Sequence, residues 1–362
     1  MLKKVLFTDS DMDGCGCKIV FELAHQCWKE GVDFTVISLL HGNIDNDVMD
    51  YIHNGYMTNS IDDQTIICFS DLCPSRECLL EIQKFGNPIR IWDHHQSAMY
   101  ALEVVPEGAT IITENSMGVP QSGTSIIYQH FCNVGFNDRN DIGKFFVNMT
   151  SAQSELVGNL IDSIRAYDTF EFKQTGAIAP KQLNTLFFML GFDNFYTRYM
   201  GRILNMKSTD LIDPQDMMFV KARMDNEQAI IDKFIADTSN PDKAPMIFPV
   251  GIRGLHVAFT YGARGASISE LGYQWLSKHP EFDAIASIGL GEKITFMFRS
   301  VKDGVNVSET LAIPLGGGGH PKAAGAVASK EFSDNLLYLI MKEISKTDPI
   351  FYDLQNDNTP RE

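Results

Sequence analysis

Val5-Leu6-Phe7-Thr8-Asp9-Ser10-Asp11-Met12-Asp13-Gly14 runs from an apolar stretch straight into three aspartates at alternate positions. A buried strand over Val5 to Thr8 that ends in acid fits an α/β protein with carboxylates at the carboxyl edge of a parallel sheet, where such folds bind ligands. Residues at i, i+2 and i+4 of an extended segment point to one side. On that reading the three carboxylates repel one another unless a cation lies between them, so the stretch predicts a metal site for more than one ion. A calcium loop of the EF-hand type needs a bidentate Glu at its twelfth position and a helix in front. Counted from Asp9 the twelfth residue is Val20, and a strand precedes it. A turn rich in helix-capping aspartates would explain Asp9 to Asp13 if they stood alone.

They do not stand alone. Gly14 and Gly16 allow a turn into helical spacing from Ile19 to Trp28. Strand-like runs follow at Phe34–Ile37, Thr65–Phe69, Ile89–Trp92 and Thr110–Ile112. The strands ending at Thr8, Phe69 and Trp92 deliver Asp9, Asp71 and Asp93, the last in Asp93-His94-His95. Carboxylates with imidazoles and no thiolate suit Mn²⁺ or Mg²⁺ better than structural zinc. Cys15 and Cys17, beside the aspartates, read as small packing residues at the strand-to-helix turn.

Ser122-Gly123-Thr124-Ser125 predicts a capped helix start, opening a mostly helical stretch to Asp168 and on to Asp237. Within it, Phe187-Phe188-x-Leu190 and Met217-Met218-Phe219 read as helix cores. The segment 238–245 breaks the pattern. Strands return at Met246–Val250, His256–Thr260, Ala284–Leu290 and Ile294–Arg299, with a helix near Ser267–Ser277. Gly316-Gly317-Gly318-Gly319-His320 then opens a small-residue segment and a final helix. The expected fold is α/β, with an N-terminal, mostly parallel sheet domain flanked by helices, a helical connection and a smaller C-terminal α/β domain. The expected boundaries are 1–190, 191–243 and 244–350, with a frayed tail over 351–362.

A chain of 362 residues fits two domains of common size. At 44% hydrophobic residues it has no uninterrupted apolar run of membrane-spanning length, and the apolar run after Lys3-Lys4 is too short for a signal peptide. Seven scattered cysteines without a CxxC pair point to reduced thiols in a cytoplasmic setting. The net charge of −16 argues against an extended duplex partner, because phosphate contact depends on Lys and Arg. It leaves room for a short single-stranded oligonucleotide or a dinucleotide, and it leaves a homodimer open.

Asp9-x-Asp11-x-Asp13-Gly14, Asp71, Asp93-His94-His95 and Asp168 within Arg165-Ala166-Tyr167-Asp168-Thr169-Phe170-Glu171 resemble the four motifs of the DHH phosphoesterase superfamily. Gly317-Gly318-Gly319-His320-Pro321 with Ala323-Ala324-Gly325 is similar to the signature of the DHH-associated C-terminal domain. The motifs span nearly the whole chain in the expected order, and the form of the fourth most resembles bacterial nanoRNases, exonucleases of very short RNA.

The resemblance implies two Mn²⁺ ions, with Mg²⁺ as an alternative. Asp9, Asp11 and Asp71 would hold one ion; Asp13, Asp71, His94 and Asp168 would hold the second, with Asp71 shared. Asp93 would orient an imidazole, and His95 would lie at the substrate phosphate. Many members carry His where this chain has Asp9, whereas RecJ-type exonucleases carry Asp. Two ions about 3.5–4 Å apart activate water and clamp attacking and leaving oxygens. In the second domain, consecutive glycines let backbone N–H groups cradle an anion. Gly317, Gly318, Gly319 and His320, with Arg299 and Arg264, are the expected substrate contacts. No Gly-Lys-Ser/Thr follows the glycines, which excludes a P-loop. The expected substrate is short RNA in the cleft between domains, cut to nucleoside 5′-monophosphates. The enzymatic rivals are a phosphatase of 3′-phosphoadenosine 5′-phosphate and a hydrolase of linear dinucleotides. The rival outside enzymes is a nucleotide-binding module with a decayed site.

Overall fold

The structure, a computed structural model, describes residues 2–25, 32–40, 44–137, 144–205, 208–240, 247–261, 263, 265–290, 293–331 and 334. The chain divides into two units, Met1–Asn226 and Glu227–Glu362.

Five parallel strands form the first sheet: β1 (Leu2–Asp9), β2 (Val32–Leu39), β3 (Ile66–Ser70), β4 (Ile89–Asp93) and β5 (Ala109–Ile111). Their order is β2-β1-β3-β4-β5. In this doubly wound order the chain reverses direction across the sheet between β1 and β3, and the crevice at their carboxyl ends is where such folds bind ligands. Successive side chains of a strand take opposite faces. Val5, Phe7, Ile67, Phe69, Ile89 and Ile91 therefore pack on one side, against α2 (Ile44–Met57), α3 (Arg76–Gln83) and α4 (Ala101–Val104) through Val48, Ile52, Leu79 and Ala101. Leu6, Cys68 and Trp92 face the other way, onto α1 (Met12–His25) and α5 (Gly123–Asn137). Further helices complete that layer: α6 (Lys144–Val147), α7 (Ser151–Asp168), α8 (Glu171–Thr175), α9 (Ala179–Leu190) and α10 (Phe192–Asn205). Phe21, Phe131, Leu160, Leu183, Phe195 and Tyr199 are its buried anchors. Each such side chain contributes about 1.5–3 kcal/mol on burial.

Helix α11 (Pro214–Thr238) contains the division between the units. Val220 belongs to the first core, whereas Ile231, Phe234 and Ile235 pack with Trp275, Leu276 and Ile285 in the second unit. That unit holds a six-stranded mixed sheet, β10-β11-β9-β8-β7-β6. Its strands are β6 (Phe248–Ile252), β7 (Leu255–Thr260), β8 (Ala284–Leu290), β9 (Ile294–Arg299), β10 (Gly318–His320) and β11 (Ala323–Val327), and α12 (Ile268–Lys278) lies between β7 and β8.

Several expectations change. The chain is not extended beyond Asp9, because α1 begins at Met12; the alternation argument for Asp9, Asp11 and Asp13 therefore fails as stated. The glycine run is a hairpin arm. A Cβ on Gly317 would lie 2.0 Å from the Gly325 carbonyl oxygen, and Gly319 sits at φ 130° with its missing Cβ 2.7 Å from the Ala323 oxygen. Both glycines are required by backbone packed on backbone. The segment before the hairpin, Ser308–Ala312, is π-helical, which the sequence did not suggest. Phe187 is buried, but Phe188, Met218 and Phe219 are exposed, on the side of their helices turned away from the core that takes Leu183, Phe187 and Val220. Of the final helix only 330, 331 and 334 are described, and the tail lies outside the described residues. No helix among the described residues is long and apolar enough to cross a membrane.

Candidate metal centre

Strand β1 ends at Asp9, and the chain turns at once into α1. A Cβ on Gly14 would lie 2.0 Å from the Asp9 carbonyl oxygen, so only glycine permits so sharp a turn. The Asp11 carboxylate caps the new helix by accepting from the Gly14 N–H at 2.9 Å. The turn sends the three aspartates different ways. Asp9 and Asp11 gather with Asp71, whereas Asp13, one helical step further on, gathers with His94 and Asp168. In each group one ligand atom per residue lies within 4.8 Å of the others.

The remaining members come from neighbouring strand ends and a helix end. Asp71 follows β3 in the left-handed region, at φ 57°. Asp and Asn tolerate that region better than most residues. Its N–H donates to the Trp92 carbonyl at 3.0 Å, which ties the β3 exit to β4. His94 follows β4, and its Nε2 lies 3.2 Å from Asp71 Oδ1, 3.5 Å from Asp168 Oδ2 and 3.9 Å from Asp13 Oδ2. Asp168 closes α7, and Arg165, one turn earlier, pairs with Glu171 and donates to the Pro120 carbonyl. The structure thus brings Asp9, Asp11, Asp13, Asp71, His94 and Asp168 to one edge of the first sheet.

Burial and like charge act together there. Desolvation, then the charges of Asp13 and Asp11, push the Asp71 carboxyl well above the usual carboxylate range. Asp168 rises for the same reasons. Burial, with the neighbouring His95 charge, lowers His94 to about 4, which keeps its imidazole neutral at physiological pH. Asp71 Oδ2 and Asp168 Oδ2 are buried and have no hydrogen-bond partner among the described residues. Carboxylates crowded in this way with an unprotonated imidazole could hold a cation: their oxygen and nitrogen donors suit a hard divalent ion.

Asp93 takes a different part. Its Oδ1 accepts from the His94 N–H at 2.7 Å, the His95 N–H at 3.1 Å and His95 Nδ1 at 2.7 Å. Burial opposes its charge, but the His95 cation and hydrogen bond prevail and hold the carboxyl down to about 2. In return, against its own burial, His95 is raised to about 9. The pair fixes the His95 ring at the rim of the cluster. Cys15 and Cys17 are buried, and desolvation pushes both thiols up, so neither is available as a thiolate.

In the second unit, Arg299 is half-buried. Its Nε donates to Ser269 Oγ at 2.8 Å, and its Nη1 donates to the Phe298 and Ala324 carbonyls at 2.8 and 3.4 Å. These bonds fasten β9 to α12 and β11. His320 ends β10 half-buried, and a Cβ on Gly318 would meet nothing, so that glycine borders open space. Arg264 lies outside the described residues.

The sequence reading placed the start of α5 at Ser122–Ser125 but missed what it does for Asp13. Gly123 N–H and Thr124 N–H donate to the two carboxylate oxygens of Asp13 at 2.6 and 3.0 Å, and Thr124 Oγ1 donates to the Asp13 carbonyl at 2.7 Å. The only signal was the helix start Ser122–Ser125, which carries no acidic cap of its own in the sequence.

No family model matches the chain. It is 25% identical over 348 residues to the oligoribonuclease NrnB of Bacillus subtilis, covering 95% of this chain and 77% of that protein. Among solved structures, the DHH domain of a member of the s1p family of ribosomal proteins superposes with a TM-score of 0.53. It has 13% identity over 94% of this chain and 86% of that one. RecJ from Thermus thermophilus, solved with Mn²⁺, gives 0.51 at 12% identity over 91% of this chain and 50% of that one. The structural likenesses show a shared fold.

Proposed function

We propose that the chain is a member of the DHH phosphoesterase superfamily, as its motifs and its oligoribonuclease relative suggest, and a metal-dependent phosphodiesterase that degrades very short oligoribonucleotides, dinucleotides included, to nucleoside 5′-monophosphates. The observation that carries the reading is the convergence of Asp9, Asp11 and Asp71 beside Asp13, His94 and Asp168, where Asp71 Oδ2 and Asp168 Oδ2 are buried without a hydrogen-bond partner among the described residues. The oligoribonuclease relative supports the substrate class.

Asp9, Asp11 and Asp71 would hold one divalent ion, and Asp13, His94 and Asp168 a second, with Asp71 within reach of both groups. The donor set fits Mn²⁺ and also admits Mg²⁺. Bound there, such ions supply Lewis-acid neutralisation of the phosphate and acidify water toward neutral pKa. Five carboxylates against the four positive charges of two divalent ions leave the centre near neutral. The charge of a phosphodiester must then be met by neighbouring groups. His95 is the group in place: Asp93 accepts from its Nδ1 and orients the ring, which in the metal-free chain is raised to about 9, and a protonated Nε2 would pass its proton to the departing ribose oxygen. Asp93 orients the ring and does not itself transfer a proton. The glycine hairpin of the second unit, with Gly318 open and His320 at its end, is assigned to binding a substrate phosphate, and Arg299 to holding that hairpin's sheet in place.

Product analysis tests the reading. Labelled RNAs from dinucleotides upward are incubated with the full chain in Mn²⁺, in Mg²⁺ and in chelator, with 3′-phosphoadenosine 5′-phosphate in parallel. Mononucleotides should accumulate from the shortest RNAs only when metal is present. Intact dinucleotides and short RNAs with Mn²⁺ would refute the proposal, and preferential loss of the 3′-phosphate would move the assignment to the phosphatase.

A further inference from the structure

One segment outside the acidic motifs touches most of the centre. The His94 ring hydrogen-bonds the Gln121 backbone. Gly123 and Thr124 give their N–H groups to the Asp13 carboxylate at 2.6 and 3.0 Å. A Cβ on Gly123 would lie 2.6 Å from Asp71 Cβ and 2.9 Å from Asp71 Cα, so the start of α5 is seated directly against Asp71. Arg165, on the helix that ends in Asp168, donates to the Pro120 carbonyl at 3.2 Å.

The geometry of α5 shows that this seating is built. The first N–H groups of a helix lack partners within it. Here Gly123 and Thr124 are satisfied by Asp13, from another helix, and Ser125 is satisfied by Ser122 Oγ at 3.4 Å. Charge-assisted bonds from both N–H groups fix the rotamer of Asp13. The Thr124 hydroxyl adds a 2.7 Å bond to the Asp13 carbonyl, so backbone and side chain of Asp13 are gripped together. Gly16 makes room for this: its missing Cβ would lie 2.3 Å from Thr124 Oγ1.

We propose that Pro120–Thr124 is a clasp that positions the candidate metal ligands, with Thr124 as the positioning residue for Asp13. The proposal rests on the metal-centre reading above. Its role is to hold Asp13, His94 and Asp71 in a binding-ready arrangement before any ion arrives, which lowers the ordering cost of binding. Groups that orient metal ligands typically change affinity 10- to 100-fold on removal.

The test is Mn²⁺ affinity of the full chain by isothermal titration calorimetry, for wild type, Thr124→Val and Thr124→Ser. Valine keeps the shape and loses the hydroxyl; serine keeps the hydroxyl and loses the methyl. The clasp predicts affinity about 10- to 100-fold weaker in Thr124→Val and close to wild type in Thr124→Ser. A packing role predicts the reverse order. If Thr124→Val does not fold, Thr124→Ala takes its place beside Thr124→Ser. Wild-type affinity in the variant without the hydroxyl, or equal loss in both variants, overturns the clasp. A wild-type chain that binds neither Mn²⁺ nor Mg²⁺ overturns the metal-centre reading itself, and the clasp with it.

Discussion

Asp71→Asn should make the metal-free protein more stable while abolishing its response to metal. Asp71 is buried, its Oδ2 lacks a hydrogen-bond partner among the described residues, and Asp13, Asp11 and Asp168 surround it with like charge. Asparagine has the same shape and also tolerates the left-handed backbone at φ 57°. Its amide can still meet His94 Nε2, now 3.2 Å from Asp71 Oδ1. Removing an unsatisfied buried ionisable group typically recovers about 1–3 kcal/mol. For a unit of this size each kcal/mol moves the melting temperature by roughly 2–4 °C, so metal-free Asp71→Asn should melt several degrees above wild type. The order should reverse with metal. A ligand at a hundred times its Kd stabilises the state it binds by about 2.7 kcal/mol. Saturating Mn²⁺ should therefore raise wild type by roughly 5–11 °C and leave Asp71→Asn unmoved. Differential scanning calorimetry in chelator and in excess Mn²⁺ reads both effects, on the transition that metal shifts in wild type. A metal-free variant that melts below wild type and is still stabilised by Mn²⁺ would show that Asp71 is structural, and would refute the reasoning.

Three other outcomes follow from the same structure. His25 donates from Nδ1 to the Phe21 carbonyl at 2.6 Å and accepts at Nε2 from Lys4 Nζ at 3.0 Å, and burial with the Lys4 charge lowers it to about 4. The unfolded chain then binds this proton first, so stability is full above pH 6.5 and declines as pH falls toward 4. Measured by urea unfolding, the change from pH 7.5 to 5 should cost wild type about 2 kcal/mol more stability than His25→Gln, the remaining pH dependence coming from groups such as His94 that the substitution leaves in place. Gly123→Ala should destabilise the first unit by about 1–3 kcal/mol through overpacking and weaken Mn²⁺ binding, both measurable in one calorimetric series. Asp93→Asn should bring His95 well below about 9 in an NMR titration of the metal-free protein and cut turnover about 10- to 100-fold, with metal affinity changed far less.

Three strands of the first sheet were legible because each announces itself twice, by an apolar core and by the acid at its end. Val5–Thr8, Thr65–Phe69 and Ile89–Trp92 lie on or within a residue of β1, β3 and β4. The gathering of Asp9, Asp11 and Asp13 was argued from an extended chain, and that argument failed at Met12. Helix α1 starts there because Asp11 caps it and Gly14 permits the turn, so the carboxylates divide between two groups instead of lining one side. The clasp at Gln121–Thr124 could not be read from spacing, since its bonds to Asp13 join residues more than a hundred positions apart and use backbone N–H groups that every residue but proline carries. The glycine run was read for its freedom to approach an anion. Gly317 and Gly319 are fixed instead by the close backbone of the β10–β11 hairpin, a constraint that appears only once the strands are paired.

Anomalous diffraction from crystals grown with Mn²⁺ tests the central claim most directly. Two peaks per chain are predicted, one among Asp9, Asp11 and Asp71 and one among Asp13, His94 and Asp168, with Asp71 touching both. A map with no peak at these residues, at Mn²⁺ concentrations that saturate binding in solution, would contradict the account.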